Sequence, residues 1–407
     1  MVDALSLLSA QAVRERAHRL LMVGLEDRLP HFRIDLTRLD TAVGLVLATM
    51  RRTYPLGEVP FHSRWRHFMI DGEDRWAAIA GAASWPDPVA RARAEFDLAI
   101  VSVLLDAGAG PLWRYRDSAS EVAIGRSEGL ALASLDMFDA GAFSAHEDDP
   151  LRVDAEALLR LTAEDLRRGF QVTDDNPLVG VEGRVELLRR LGAQLAAQPE
   201  VFGSRDGPRP GGLVDYLLSR AEGGAIAAPA ILSVVLQQLG PIWPSRLSLD
   251  DVPLGDCWRH PSLVTDDATT GLVPLHKLSQ WLTYSLIEPL QRAGVAVADI
   301  DGLTGLAEYR NGGLFIDTGV LSFRDPAEAE REYDVGAPLI VEWRALTVAL
   351  LDQLAQITRQ RLGVDAAAFP LAKILEGGTW AAGRAIAFER RPDGSPPIKV
   401  VSDGTVF

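Results

Sequence analysis

Apolar residues recur every three to four positions through most of the chain, which is the spacing of one face of an α-helix. One such run covers residues 39–50 and ends before Pro55. A second follows the helix-starting pair Asp87-Pro88 and ends before Gly108. The same spacing predicts further helices over residues 154–169, 184–198, 214–220, 229–239, 274–291 and 339–362.

Strand patterns are confined to two places. Residues 61–78 predict a short hairpin with Asp71-Gly72 at its turn, and residues 384–407 predict a C-terminal β-hairpin. Strands and helices do not alternate regularly, so a doubly wound parallel sheet is not expected. The sequence therefore predicts a mainly α fold with a few short strands.

The domain organisation is predicted as one large helical domain over residues 1–407. The alternative that stays open is a division of this domain into two lobes, about 1–205 and 206–407, with a cleft between them. The Gly- and Pro-rich segment over 203–212 is the candidate linker, and a surface loop within one domain is an equal interpretation.

Charge and composition narrow the function classes. The chain has 41 Lys and Arg against 56 Asp and Glu, a formal net charge of −15, which argues against nonspecific binding to nucleic acids or anionic membranes. The single cysteine, Cys257, excludes an internal disulfide and a cysteine-cluster metal site. The first 25 residues carry several charges, unlike a secretion signal, and the longest apolar stretch is too short for a bilayer. We therefore expect a cytoplasmic protein that acts on a small molecule, without nucleic-acid or membrane partners.

Common nucleotide-binding motifs are missing from the sequence: it has no Gly-x-Gly-x-x-Gly and no Walker-type loop. A metal site built on His260, His276, Asp266 and Asp267 is an alternative, since these residue types ligate metals. Loop aspartates more often cap helices or form turns. The expectation is therefore a protein without metal or cofactor.

The segment over residues 60–68 (PFHSRWRHF) combines aromatic and cationic side chains. In an extended conformation, Arg64 and Arg66 share a face with His62, and Trp65 faces the other side. This pattern favours binding an anion or stacking on a planar group. The alternative is a solvated cationic edge with Trp65 in the core.

Two further segments place polar residues among apolar ones. On the helix predicted over 274–291, Lys277 and Trp281 share one stripe, so the lysine either reaches to the surface or lines a cleft. After a Gly-Leu-Thr-Gly-Leu turn, the sequence delivers Glu308, Tyr309 and Arg310 in succession.

These segments, and above all TDDATTGLVPLHKLSQWLTYSLIEPL and DGLTGLAEYRNGGLFIDTGVL, resemble the uracil-catabolism family of fungi and bacteria. The resemblance runs over most of the chain. It implies a role in degrading uracil through a ring-opened, ribosylated urea, with urea as the final product.

The chain is also distantly similar to the queuosine-salvage N-ribosylhydrolases, which share the helix-hairpin-helix fold of DNA glycosylases. Their Leu-Thr-x-x-Ala-Asp-Tyr-Arg stretch matches residues 303–310, with Glu308 in place of the aspartate. Lys277 matches a lysine of the preceding helix, and Glu342 matches a later acid in an apolar run. The resemblance implies a helix-hairpin-helix fold and an N-ribosyl hydrolase.

Cleavage of an N-ribosyl bond passes through an oxocarbenium-like transition state. Glu308 is expected to stabilise this cation and activate water, Glu342 to hold ribose hydroxyls or share the water, and Lys277 to bind a ribose phosphate. The other expected substrate-binding residues are His62, Arg64, Trp65, Arg66, Trp281, Tyr309, Arg310, Asp266 and Asp267.

Two alternatives stay open at this point. A metal-dependent amidohydrolase would cut a ureido C–N bond at the histidine and aspartate set described above. A non-catalytic protein of the same pathway would bind the intermediate without converting it.

Overall fold

The computed structural model describes residues 4–106, 108–117, 120–243 and 247–401. Helices make up most of this part of the chain, so the predicted mainly α fold is confirmed. The α-helices of the described residues are α1 (Ala10–Leu25), α2 (Leu39–Thr53), α3 (Arg75–Ala82), α4 (Pro88–Leu104), α5 (Arg126–Asp139), α6 (Ala155–Arg160), α7 (Ala163–Gly169), α8 (Val181–Ala197), α9 (Pro199–Phe202), α10 (Gly212–Leu218), α11 (Ala228–Leu239), α12 (Lys277–Arg292), α13 (Tyr309–Asp317), α14 (Pro338–Leu362), α15 (Leu371–Ile374) and α16 (Trp380–Arg390).

The strands have two or three residues each and pair two by two, so they form no larger sheet in the described residues. They are β1 (Phe32–Ile34), β2 (Met69–Ile70), β3 (Glu73–Asp74), β4 (Tyr115–Arg116), β5 (Ala123–Ile124), β6 (Ala225–Ala227), β7 (Ser248–Leu249), β8 (Val252–Pro253), β9 (Cys257–Arg259), β10 (Leu272–Pro274), β11 (Ala296–Ala298), β12 (Leu321–Phe323), β13 (Glu332–Asp334) and β14 (Lys399–Val401). The antiparallel pairs are β1–β12, β2–β3, β4–β5, β7–β8 and β9–β10, and the parallel pairs are β6–β11 and β13–β14.

The hairpin predicted within residues 61–78 is present, but it is shorter than expected. Strands β2 and β3 flank Asp71 and Gly72, which have φ values of 49° and 86° as a tight hairpin turn requires. The preceding residues Arg64–Phe68 form a 3₁₀ helix, so the expectation of an extended segment is wrong. Three residues per turn bring Arg64 and His67 to one side, where the Arg64 Nη1 and His67 Nδ1 atoms lie 3.3 Å apart.

The C-terminal hairpin is a second prediction that the described residues correct. Much of the segment forms α16, and β14 pairs in parallel with β13, about 65 residues earlier in the chain. The turn expected at residues 403–404 lies outside the described residues. The apolar pattern of Ile398 and Val400 indicated a strand, but a local pattern does not specify the strand's partner.

Most buried apolar side chains form one connected core that extends from Leu8 to Ile398. A small second cluster contains Leu7, Ala12, Leu254, Cys257 and Leu272. Helix α14 runs through the connected core and is buried on all sides from Leu339 to Leu351, which its nearly continuous apolar sequence explains. It packs against α1, α2 and α13, while α12 packs against α4 and α11.

The candidate linker over 203–212 packs against α4. The guanidinium of Arg209 bonds to the fully buried carboxylate of Asp97, with 2.9 Å between Nε and Oδ2. The division into two lobes and the helix-hairpin-helix arrangement stay predictions. No helix among the described residues is long and apolar enough to cross a membrane.

Candidate active site

A cavity of about 500 Å³ lies where the end of α4 meets the beginnings of α5, α12 and α13. A late segment of the chain, residues 393–400, forms the remaining wall. The volume is in the range of small-molecule sites. The polar and charged lining side chains are Asp106, Arg126, Ser127, Lys277, Tyr309, Arg310, Asp393 and Ser395.

Lys277 is the first residue of α12, and its side chain lines the cavity. The preceding residue, His276, has a φ of 47°, and Asp256 Oδ2 accepts the Lys277 backbone N–H at 3.0 Å. Burial lowers the pKa of the Lys277 ammonium, while the carboxylates of Glu308 and Asp106 act in the opposite direction. Of the two interpretations of this lysine, the structure supports the one in which it lines a cleft.

Glu308 caps the start of α13. Its carboxylate accepts the backbone N–H groups of Arg310, at 2.8 Å, and of Asn311. Burial raises the pKa of Glu308, and these two hydrogen bonds and the charge of Lys277 oppose that shift. These hydrogen bonds hold the nearly buried carboxylate in one orientation. The two residues that follow it in the chain, Tyr309 and Arg310, line the cavity.

A buried ion pair fixes both of these helix starts. Asp256 binds Arg344 through two contacts of 2.8 Å, and Arg344 Nε also donates to the Ala307 carbonyl at 3.1 Å. Burial alone would raise the pKa of Asp256, but Arg344 and further hydrogen bonds lower it to about 2. The pair therefore connects the backbone at Lys277 to the backbone just before Glu308.

Asp106, in the cavity wall, is paired with Arg64. The Arg64 Nη1 atom lies 2.9 Å from Asp106 Oδ1, and Ser127 Oγ donates to Asp106 Oδ2 at 3.0 Å. Arg64 is fully buried, and its Nε donates to Ser102 at 2.7 Å. Arg64 thus serves as the counterion of a cavity carboxylate.

His62 and Trp281 lie in a neighbouring aromatic cluster. The His62 Nδ1 atom is 2.8 Å from Glu376 Oε2, and Tyr54 donates to the other oxygen of Glu376 at 2.9 Å. The His62 and Trp281 rings are 6.4 Å apart, and the charges of His62 and Glu308 act on each other. The cluster is therefore close enough to the Glu308 carboxylate to influence its ionisation.

Two other residues of the 60–68 segment lie outside the cavity lining. Trp65 is buried in the core, where it packs on Trp76 and donates to the Ser285 carbonyl at 2.7 Å. Arg66 pairs with Glu288 at 2.7 Å. Both side chains thus hold the 3₁₀ helix against its neighbours.

Glu342 is fully buried and does not belong to the cavity lining. Its Oε1 accepts the Phe32 N–H at 2.8 Å, and its Oε2 lies 3.1 Å from His260 Nε2. Both carboxylate oxygens therefore have partners. Glu342 joins α14 to β1 and to the residue that follows β9. Glu308 is also absent from the residues that line the cavity, so the expected pairing of the two glutamates in one pocket stays a prediction.

The residues of the metal alternative are dispersed. Asp266 is exposed, Asp267 accepts the Thr269 N–H at 2.8 Å in a surface turn, and His276 Nε2 contacts the Leu7 carbonyl at 2.9 Å. In the part of the chain that the structure describes, no three His, Cys, Asp or Glu side chains are grouped to hold a metal ion. Asp266 and Asp267 also do not line the cavity.

Sequence reasoning missed three residues of this region: Asp106, Arg126 and Glu376. No motif or periodicity marks Asp106 or Glu376, because each gains its position from contacts with distant parts of the chain. Arg126 belongs to a Gly-x-Ser-x-Gly match over residues 125–129 that the sequence analysis overlooked. Arg126 has a backbone signature, a φ of 57°, but this becomes visible only in the structure.

Comparison with known proteins gives matches over nearly the whole chain. The model of a family described as "Protein of unknown function (DUF1688)" matches residues 6–407. "Protein urg3" of Schizosaccharomyces pombe is 40% identical over 98% of this chain and 98% of its own. "Uracil catabolism protein 4" of Lachancea kluyveri is 38% identical over 93% of this chain and 92% of its own. The resemblance to the uracil-catabolism family is thereby confirmed, and the more distant one to the queuosine-salvage N-ribosylhydrolases stays a prediction.

Proposed function

The chain belongs to the family described as a protein of unknown function (DUF1688), and from this membership we propose that it acts in uracil catabolism as an N-ribosyl hydrolase. It releases urea from a ribosylurea or its 5′-phosphate. The pathway rests on the printed name of the relative from Lachancea kluyveri. The reaction rests on the residues around the cavity.

The observation that carries the proposal is the fixed carboxylate of Glu308, which interacts with the charge of Lys277. Lys277 lines the cavity of ligand size, and so do the two residues that directly follow Glu308. When a C1′–N bond breaks, positive charge develops on the ribose ring, and a preorganised carboxylate stabilises that charge. The backbone N–H groups of Arg310 and Asn311 donate to the Glu308 carboxylate and keep it from reorienting while the charge forms. Glu308 is therefore suited to electrostatic catalysis.

The reaction needs no reactant other than the substrate and one water molecule. The C1′–N bond breaks with its electron pair going to the urea nitrogen, and the oxygen of one water molecule bonds to C1′. The carboxylate of Glu308 orients this water, whose proton ends on the departing urea. The products are urea and ribose, or ribose 5-phosphate.

This proposal uses one carboxylate where two were expected. Glu342 keeps a structural role because its partners, Phe32 and His260, belong to distant parts of the chain that it joins together. Lys277 contributes binding, because it lines the cavity and its ammonium can hold a polar or anionic group of the substrate. Its lowered pKa also makes proton donation easier than from an exposed lysine.

The test is urea release by purified protein from synthetic ribosylurea and ribosylurea 5′-phosphate. Glu308→Gln keeps the shape of the side chain but removes the charge, so we expect kcat to fall by about 10²-fold or more with KM nearly unchanged. The matched control is Asp87→Asn, which alters another helix cap, at the exposed start of α4. It should change stability by no more than about 0.5 kcal/mol, because asparagine and aspartate cap helices about equally well, and it should leave urea release unchanged.

Three results would contradict the proposal. Ammonia and carbon dioxide as the products would indicate cleavage of the ureido bond. Tight binding of the intermediate with no turnover would indicate a binding protein. Equal activity per folded molecule in wild type and Glu308→Gln would limit Glu308 to its capping role.

A further inference from the structure

Three cationic side chains line the cavity without a carboxylate partner. They are Arg126, Lys277 and Arg310, and none of them forms an ion pair within the described residues. Most other buried or half-buried arginines have a carboxylate within 4 Å, as Arg64, Arg209 and Arg344 do. In a chain with a net charge of −15, such a group of unpaired cations is unusual and indicates an anionic ligand.

Arg126 begins α5 in a backbone conformation that is unfavourable for arginine. Its φ of 57° lies in the left-handed region, which costs a non-glycine residue about 1 kcal/mol. The side chain is exposed at the cavity, and neither a salt bridge nor a hydrogen bond restrains it in the described part of the chain. A strained residue at a cavity, with its guanidinium free, is typical of a ligand contact.

Arg310 supplies a buried donor from the facing wall. The residue is 3% exposed, and its Nη1 donates to the Gly394 carbonyl at 2.8 Å. Its Nε has no acceptor among the described residues. A buried guanidinium N–H without an acceptor is destabilising, so a ligand oxygen at this position would satisfy it.

The carboxylates of Glu308 and Asp106 act on Lys277, but those of the cavity lining do not cancel the charges of Arg126 and Arg310. Asp106 is already neutralised by Arg64, and Asp393 is exposed and accepts the Ser395 N–H at 3.0 Å. The first amides of α12 and α13 are also occupied, by Asp256 and Glu308. At the starts of α12 and α13, an anion in the cavity is therefore bound by side chains rather than by backbone amides. The start of α5 has no side-chain cap.

We propose that Arg126 and Arg310 bind the phosphate group of a ribose 5′-phosphate, so that the substrate is the phosphorylated ribosylurea. Guanidinium groups match the geometry of phosphate oxygens and remain charged at every physiological pH. The identity of the sugar rests on the proposed function, whereas the anion site rests on the cavity alone. Arg64 and Arg66, the arginines first expected in this role, are engaged in ion pairs with Asp106 and Glu288.

The test is isothermal titration calorimetry on the full chain with ribose 5-phosphate, ribose and inorganic phosphate. Wild type should bind ribose 5-phosphate at least tenfold more tightly than ribose. Arg126→Gln and Arg310→Gln should each weaken ribose 5-phosphate binding by about tenfold or more and leave ribose binding unchanged. The control is Arg33→Gln, which removes an exposed arginine of β1 outside the cavity lining and should change neither.

A second variant separates ligand binding from folding. Arg126→Gly places the residue best suited to a φ of 57° at this position, so its Tm should equal or exceed that of wild type. Its affinity for ribose 5-phosphate should nevertheless fall as far as that of Arg126→Gln. An affinity that stays at the wild-type value in both Arg126 variants overturns the phosphate site.

Urea release distinguishes this inference from the proposed function. Equal kcat/KM for ribosylurea and its 5′-phosphate shows that the phosphate site is wrong and the hydrolase is right. Binding of ribose 5-phosphate that depends on Arg126, with no urea released from either compound, shows that the anion site is right and the hydrolase is wrong. A preference for the phosphorylated substrate that is lost in Arg126→Gln supports both.

Discussion

Glu308 and Glu342 are both buried glutamates, yet their surroundings give them different roles. Glu308 receives two N–H bonds from its own helix and has a lysine ammonium close by. Glu342 receives its bonds from β1 and from His260, residues far away in the chain. A carboxylate fixed by local bonds can present its charge to a ligand, whereas one shared between distant elements serves to join them.

His62 gives a prediction at the residue scale. The Glu376 carboxylate accepts a hydrogen bond from His62 Nδ1. This bond sets the tautomer of the His62 ring and leaves its Nε2 atom for other contacts. Glu376→Gln should lower kcat/KM for urea release by roughly tenfold, because the ring loses its orienting carboxylate. Tyr54→Phe is the control, since it removes only the hydrogen bond to the other Glu376 oxygen. Equal losses in both variants would show that His62 has no specific role.

At the scale of elements, the site depends on where helices begin. Lys277 and Glu308 lie at the starts of α12 and α13, so a shift of either helix start would move its side chain relative to the cavity. The Asp256–Arg344 pair prevents this, because it holds the Lys277 N–H on one side and the Ala307 carbonyl on the other. Removing the pair should therefore affect both stability and activity.

The pH dependence of this pair can be stated with its sign. The pKa of Asp256 is lowered from 3.8 to about 2 in the folded protein. Its ionised form thus stabilises the fold fully above pH 3.8, and this contribution is lost as the pH falls to about 2. In chemical denaturation at pH 7, Asp256→Asn should lose on the order of 2 kcal/mol or more, and the difference from wild type should narrow below pH 3.8.

Asp215→Asn provides the matched comparison, because Asp215 also binds an arginine, Arg93, through two contacts but at the surface. It should lose less than about 1 kcal/mol. A loss for Asp256→Asn as small as that of Asp215→Asn would contradict a stabilising role for the buried pair.

At the scale of the whole molecule, the cavity is closed by residues that are far apart in the chain, from Leu104 to Val400. Ile398 is fully buried and lines the cavity, and Arg310 holds the same segment through the Gly394 carbonyl. Ile398→Ser should release this wall, because it removes apolar burial and leaves a hydroxyl inside. We expect faster proteolysis within residues 391–401 and a loss of urea release.

Val401→Ser is the control within the same strand, since Val401 is 52% exposed. It should change neither proteolysis nor activity. Wild-type urea release by folded Ile398→Ser would show that residues 393–400 are dispensable for the site.

The sequence by itself determined the local elements and the residues that lie close together along the chain. Helical periodicity located α2, α4, α12 and α14, and Asp71-Gly72 located the turn between β2 and β3. The family resemblance directed attention to Lys277 and Glu308, which the structure places beside one cavity. These inferences succeed because burial periodicity and turn chemistry act over a few residues.

Only the tertiary structure decided which charges pair and which remain available. Arg64 pairs with Asp106, Arg66 with Glu288 and Glu342 with His260, across separations of 42, 222 and 82 residues. Sequence patterns show that a side chain is charged, but its partner depends on how distant elements pack. Arg126 was overlooked for the same reason: it acquires its position in the cavity, and its unpaired charge, only when α4, α5 and the end of the chain come together.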